Sequence, residues 1–207
     1  MNCRFPYVVV VSLLLLGCGE EIRVPEFDGS RAYGYLQAQT AFGPRVPGTD
    51  EAQRCLRYLS DHFATLAYQV DTQSFIYQDP YSSRNISMTN LIARFRGLES
   101  GTPPILLIAH WDSRPRTDYH SDQSRSGEPI LGANDGASGV AVLMEMANLF
   151  GHRPPAGDIV ILLVDGEDWG KEGDHENYLL GSRHFASRGI RGHFRFGVVI
   201  DLVGDRD

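Results

Sequence analysis

Three short apolar runs in the second half of the chain constrain its fold most strongly. They are ILLIA (105–109), DIVILLV (158–164) and FGVVID (196–201), and runs of this kind are typical of strands buried on both faces of a sheet. The segments between them, at 136–150 and about 177–187, have the periodicity of helices. Strands that alternate with helices predict an α/β domain with a mostly parallel central sheet and helices on both faces.

The first half of the chain predicts one helix followed by two strands. The helix extends from Thr49, a suitable N-cap, to about Ala67, and the strands lie near 68–76 and 90–96. One stripe of this helix is apolar and consists of Cys55, Leu59 and Phe63. We therefore expect Cys55 to be a buried structural thiol.

Polar side chains follow each of the three predicted buried strands. One more precedes the predicted helix at 136–150, which lies between the first two of these strands. They are His110 and Asp112, Glu167 and Asp168, Asp201, and Asp135. The carboxyl ends of strands in an open α/β sheet form the ligand-binding edge, so we expect these side chains to converge. An imidazole with several carboxylates suits zinc, and without a cation the acids would repel one another. Taken singly, an acid here could be purely structural: Asp135 could cap a helix and Asp165 could close a turn.

The N-terminus predicts an exported, lipid-anchored protein. Residues 1–18 have the layout of a secretion signal, and LLGC at 15–18 resembles the bacterial lipoprotein box, in which Cys18 would be acylated. An ordinary signal or an uncleaved anchor is the alternative. We expect a tether at 19–28, a single catalytic domain at 29–207, and a monomer on the periplasmic or extracellular face of a bacterial cell envelope. The formal net charge of −7 and the lack of a basic run argue against nucleic-acid binding.

Several motifs together resemble the zinc aminopeptidase and glutaminyl cyclase superfamily. AHWDSR, GANDGASGV, VDGEDWG, YLLGSRHFA and VIDLVGD have its order and spacing, and GPRVPG resembles its N-terminal segment. The Glu-Asp pair followed by an aromatic residue and Gly, with LLGSRH and DLVG downstream, is most similar to bacterial glutaminyl-peptide cyclotransferases. This resemblance covers about residues 30–207. It implies the phosphorylase/hydrolase-like fold of zinc exopeptidases and zinc-dependent cyclisation of an N-terminal glutamine to pyroglutamate, with release of ammonia.

The resemblance also implies a role for each candidate residue. Asp135 and Asp168 would bind zinc, and Glu167 would be the general acid and base. In the cyclases the acid at the position of Asp201 belongs to a hydrogen-bond relay that helps to hold the substrate amide. In the two-zinc aminopeptidases the same acid binds a second metal together with the residue at the position of His110.

Three further residues would support the site. Asp112 would fix the imidazole of the preceding histidine. Trp111 and Trp169 could form the wall of an apolar substrate pocket, or they could belong to the core.

One departure from the family pattern weakens the expected activity. Family members take their last zinc ligand from a histidine well downstream of the Asp201 position, and this sequence ends at Asp207. We therefore expect a C-terminally truncated, incomplete fold with weak or no activity. The alternatives to a one-zinc cyclase acting on peptide or protein N-termini are a two-zinc aminopeptidase and a non-catalytic binding lipoprotein.

Overall fold

The computed structural model describes residues 24–99, 101–117, 125, 127–188 and 193–204. The helices are α1 (Gly29–Thr40), α2 (Asp50–Ala64), α3 (Gly139–His152) and α4 (Leu180–Ser187). The strands are β1 (Gln69–Gln78), β2 (Asn85–Phe95), β3 (Ile105–His110), β4 (Ile159–Val164) and β5 (Phe196–Val199). The predicted signal peptide, Cys18 and residues 19–23 of the predicted tether lie outside the described residues.

The five strands form one mixed sheet in the order β1-β2-β4-β3-β5. β3 is parallel to both β4 and β5, whereas β2 is antiparallel to β1 and to β4. The α/β class and the parallel pairing of the three predicted strands are confirmed, but the sheet as a whole is not mostly parallel. The reason is the short connection at 79–84, which can join β1 and β2 only as an antiparallel hairpin. The prediction that the third strand is buried on both faces was wrong: β5 is exposed along its whole length, because it lies at the edge of the described sheet and pairs only with β3.

Helices cover both faces of the sheet, as the alternation of strands and helices predicted. Leu107 and Ile161 point to the face covered by α2 and α3, and Leu106 and Leu162 point to the face where Phe185 of α4 packs. The stripe on α2 is confirmed, since Cys55, Leu59 and Phe63 are all fully buried on the first face. Among the described residues, no helix combines the length and apolar composition needed to cross a bilayer.

The boundaries of several elements and the existence of one differ from the sequence prediction. α2 ends at Ala64 instead of about Ala67, and α4 begins at Leu180 instead of about residue 177. β2 begins at Asn85 instead of about residue 90, and α3 begins at Gly139 because the preceding residues form an irregular turn. α1 was not predicted. It packs beside α3, where Arg31 binds the buried carboxylate of Glu145 through both Nε and Nη2 at 2.7 Å. The Thr49 cap is confirmed, because its hydroxyl accepts a hydrogen bond from the backbone N–H of Ala52.

Candidate metal centre

His110, the last residue of β3, lies at the centre of the predicted cluster. Its Nε2 atom is 2.9 Å from Asp135 Oδ1 and 3.5 Å from Asp201 Oδ1, and its Nδ1 atom is 3.4 Å from Asp112 Oδ1. The ring is buried, yet neither nitrogen makes a hydrogen bond of normal geometry within the described residues. The convergence of strand-end side chains that the sequence predicted is therefore confirmed.

An irregular turn, Ala133–Ser138, directs Asp135 toward this histidine. Asp135 has an extended backbone (φ −82°, ψ 107°), and Gly136 follows with φ +92°. A Cβ atom at Gly136 would lie only 2.6 Å from the carbonyl oxygen of Asp112, so this close approach requires glycine. Asp135 consequently serves the cluster and does not cap α3, whose N-cap position is Ser138.

The segment that carries Asp201 is fixed by the same turn. Ser138 Oγ accepts a hydrogen bond from Val203 N at 3.1 Å, and Asn134 Oδ1 accepts one from Gly204 N at 2.7 Å. The turn before α3 therefore positions Asp201, which follows β5, as well as Asp135, which lies in the turn itself.

Glu167 and Asp168 lie in the turn after β4, which Asp112 holds in place. The carboxylate of Asp112 is fully buried and accepts hydrogen bonds from the backbone N–H groups of Glu167 at 3.1 Å and Asp168 at 3.4 Å. From the other side, the N–H of Leu179 donates to the carbonyl oxygen of Glu167 at 2.9 Å. Asp112 thus contacts both the imidazole and the turn that bears the two acids.

Asp165, the acid that directly follows β4, has a different role. Its Oδ2 atom accepts a hydrogen bond from Thr89 N at 2.7 Å, and its own N–H donates to Asn90 Oδ1 at 3.0 Å. Burial raises the pKa of Asp165 well above its usual range. It anchors the end of β4 to β2 and belongs to neither candidate set of metal ligands in the described residues.

The electrostatics of the cluster favour a bound cation. Burial, together with the charge of Asp135, raises the pKa of Asp168 to about 7. Burial also raises the pKa of Glu167. Burial lowers the pKa of His110, but the facing carboxylates of Asp112, Asp135 and Asp201 outweigh it and raise that pKa well above its usual value. Acids whose ionisation is opposed by burial and by one another gain from a positive ion between them.

Two sets of three side chains could hold such an ion. One set is His110, Asp135 and Asp168, and the other is His110, Glu167 and Asp201; in each, the ligand atoms lie within 4.8 Å of one another. Imidazole nitrogen and carboxylate oxygen are both zinc ligands. Because carboxylates face both buried nitrogens of His110 without a hydrogen bond of normal geometry, the described residues fit zinc.

The two tryptophans differ in their placement. Trp111 is fully buried in the core under α2 and α3, and its indole N–H donates to Thr89 O, so of the two alternatives that the sequence left open the structure supports the core position. It continues the alternation of β3, in which residues 107, 109 and 111 face the same side. Trp169 packs with Met88 and donates to Asp79 Oδ1 at 2.9 Å; its role in a pocket stays a prediction.

Sequence reasoning also missed two buried polar residues that support the site. Asn90 on β2 accepts from Asp165 N and donates to Gly181 O, and Arg45 donates to three backbone carbonyl groups next to the cluster. The only sequence signal for Arg45 is its place in GPRVPG, and Asn90 has none.

Comparison with known proteins places this cluster in a family. The model of "Peptidase family M28" matches residues 90–207. The chain belongs to this family. A probable zinc metalloprotease of Leptosphaeria maculans is 32% identical over 155 residues, which are 72% of this chain and 33% of the relative. The chain thus spans about a third of the length of that relative, and zinc is the metal that the family implies.

Solved structures extend the likeness to both predicted activities. A glutaminyl cyclase from Bacteroides thetaiotaomicron is 37% identical with a TM-score of 0.81, covering 89% of this chain and 65% of that protein. A leucine aminopeptidase precursor from the same organism has the same identity and TM-score, with coverage of 89% and 66%. The α/β fold of zinc exopeptidases and glutaminyl cyclases is therefore established for this chain.

Proposed function

We propose that this chain is a zinc-dependent glutaminyl-peptide cyclotransferase, which converts an N-terminal glutamine of a peptide or protein into pyroglutamate and releases ammonia. The observation that carries the proposal is the orientation of His110. Its Nε2 atom faces Asp135 and Asp201, whereas its Nδ1 atom faces Asp112. Both candidate ligand sets include His110, and one ring nitrogen binds one cation, so the two sets cannot both be completed with this histidine at the same time; this supports a single centre.

A single centre leaves distinct tasks to the adjacent acids of the β4 turn. Asp168, with Asp135 and His110, would hold the ion, and Glu167 would remain available for proton transfer. Bound zinc would supply a Lewis acid that polarises the side-chain amide carbonyl of the substrate. One zinc favours the cyclase, because the aminopeptidases of the superfamily use two.

Glu167 is suited to act as base and then as acid. It is half-buried, and burial raises its pKa toward the pH at which proton transfer in both directions is efficient. Its carboxylate would accept a proton from the substrate α-amine while the amine nitrogen forms a bond to the side-chain amide carbon. The bond from that carbon to the amide nitrogen then breaks, and Glu167 returns the proton to the departing ammonia.

Asp201 and Asp112 would assist without exchanging protons with the product. Asp201 is partly exposed beside His110, where its carboxylate can accept a hydrogen bond from the substrate amide N–H₂ group. Asp112 holds the backbone of Glu167 through the hydrogen bond at 3.1 Å and so keeps the base in position.

The experiment compares two products from zinc-loaded protein that also carries the downstream histidine of the family pattern, since the sequence analysis expects weak or no activity without it. Ammonia is measured with a peptide that begins with Gln, and free amino acid with a peptide that begins with Leu. We expect ammonia without leucine, and we expect Glu167→Gln to lower turnover by about 10²- to 10⁴-fold, the usual cost of losing a general base. Glu176→Gln is the matched control, since it makes the same change at an exposed position of the same connection.

A zinc aminopeptidase is the second candidate. The set formed by His110, Glu167 and Asp201 favours it, because these residues could contribute to a second metal position. Glu167 would then activate water against the first peptide bond. Release of leucine without ammonia would support this candidate and contradict the cyclase, and the absence of both products would favour a non-catalytic binding lipoprotein.

We also propose that the protein is attached to the bacterial cell envelope through an acylated Cys18. The support for this proposal is the apolar stretch that ends in LLGC at 15–18. This arrangement would place the site on the periplasmic or extracellular side of the membrane, where it would meet the N-termini of exported peptides.

A further inference from the structure

Arg45 lies in the connection from α1 to α2, and its cationic side chain is fully buried. Its guanidinium donates to three backbone carbonyl oxygens: Nε to Trp111 O at 2.9 Å, Nη1 to Leu131 O at 2.9 Å, and Nη2 to Gly132 O at 2.7 Å. Within the part of the chain that the structure describes, no carboxylate lies within ion-pair distance of it. Its partners are therefore backbone groups.

Those backbone groups belong to the two segments that form the metal centre. Trp111 lies between His110 and Asp112, and Leu131 and Gly132 lead into the turn that carries Asp135. The main chain of Arg45 adds a contact to the first segment, because its carbonyl oxygen accepts from Ser113 N at 3.2 Å. One residue thus connects the end of β3 to the turn before α3.

The space around the guanidinium is closely filled. A Cβ atom at Gly132, which has φ +63°, would lie 3.1 Å from Arg45 Nη2 and 2.7 Å from the carbonyl oxygen of Asp135. Glycine at this position lets the carbonyl oxygens of residues 131 and 132 both face the side chain.

A positive charge at this position needs a geometric explanation. A buried ion without a counter-ion carries a desolvation cost, and a cation close to a metal site repels the metal. Burial lowers the pKa of Arg45, and the charges of Asp112 and Asp135 act in the opposite direction. What arginine supplies, and neutral side chains do not, is a rigid planar fork of donors that reaches several carbonyl oxygens at once.

We propose that Arg45 is the positioning residue of the metal centre, and that its guanidinium holds His110 and Asp112 in register with Asp135 before the metal binds. This inference rests on the proposed zinc centre, but it holds for a cyclase and an aminopeptidase alike.

The test measures the zinc dissociation constant of the folded, metal-free protein by competition with a chelating dye. We expect Arg45→Met to weaken zinc binding about 10- to 100-fold, as loss of groups that orient metal ligands does. We expect Arg45→Lys to be similarly weak, because an ammonium group keeps the charge but does not span the carbonyl groups of two segments. Leu59→Ala is the control: it removes a fully buried side chain of α2, so it should lower stability and leave the zinc dissociation constant unchanged.

The direction of the change in zinc affinity separates a positioning role of Arg45 from an effect of its charge. Removing a nearby positive charge alone would tighten zinc binding, so Arg45→Met with equal or tighter binding would overturn the proposal. Wild-type affinity in Arg45→Lys would overturn it as well, and this variant decides the matter if Arg45→Met does not fold. A wild-type chain that binds no zinc would instead contradict the proposed metal centre itself.

Discussion

Replacing Asn90 by alanine tests how the end of β4 is held. The Asn90 side chain is fully buried; its Nδ2 group donates to Gly181 O at 2.8 Å and to Gln73 Oε1 at 2.9 Å, and its Oδ1 atom accepts from Asp165 N at 3.0 Å. Asn90→Ala would leave the buried Asp165 N–H without its partner and would remove one of two hydrogen bonds to Gly181 C=O, which as part of α4 keeps its helical hydrogen bond. The Gln73 side chain is partly exposed and can bind water instead.

The expected loss comes mainly from the unpaired Asp165 N–H group. Each buried group left unpaired costs about 1–3 kcal/mol, and water entering the space of the lost amide recovers part of that cost. We therefore expect the free energy of unfolding to fall by about 1–3 kcal/mol, a substantial part of the 5–15 kcal/mol typical of a domain. Equilibrium urea denaturation measures this loss, and Gln73→Ala is the matched control, expected to cost less than about 1 kcal/mol. A loss for Asn90→Ala no larger than that of the control would refute the reasoning.

Three other predictions follow from the site and the N-terminus. Burial and the charge of Asp135 raise the pKa of Asp168 to about 7, so between about pH 4 and 7 the metal-free folded protein binds a proton that the unfolded chain releases. As the pH rises through that interval, the free energy of unfolding of the wild type should therefore fall more steeply than that of Asp168→Asn. A wild-type profile no steeper than the variant's would contradict this. Gly136→Ala places a methyl group against the Asp112 carbonyl oxygen at positive φ, so it should lower zinc affinity in a chelator titration; unchanged affinity would argue against the required close approach. Cys18→Ser should move the protein from the membrane fraction to the soluble fraction, and unchanged partitioning would exclude the lipid anchor.

The sequence predicted the elements whose pattern is local. The stripe of Cys55, Leu59 and Phe63 and the three apolar runs are recognisable from periodicity alone. The stripe is buried and the first two runs form largely buried strands, as expected, whereas the third forms the predicted strand but lies exposed at the edge of the sheet. The convergence of His110 with Asp135 also followed, because the topology of an α/β sheet brings strand ends to one edge.

What the sequence did not predict depends on partners far along the chain. α1 packs beside α3 through Arg31 and Glu145, which are 114 residues apart, and Asn90 binds Gly181 across 91 residues. Periodicity contains no information about such pairs. Trp111 is a different case, because the sequence left its place open between pocket and core. Its backbone N–H still donates to Val164 O of β4, so the alternation of β3 continues through this residue and places the indole in the core.

The division of labour between the adjacent acids Glu167 and Asp168 is the central claim, and the zinc content of the purified protein tests it most directly. Metal analysis of the zinc-loaded, desalted wild type, Glu167→Gln and Asp168→Ala should give one ion per chain for the first two proteins and little or none for the third. Asp168→Ala that retains its zinc, or a wild type that holds two ions, would contradict the account.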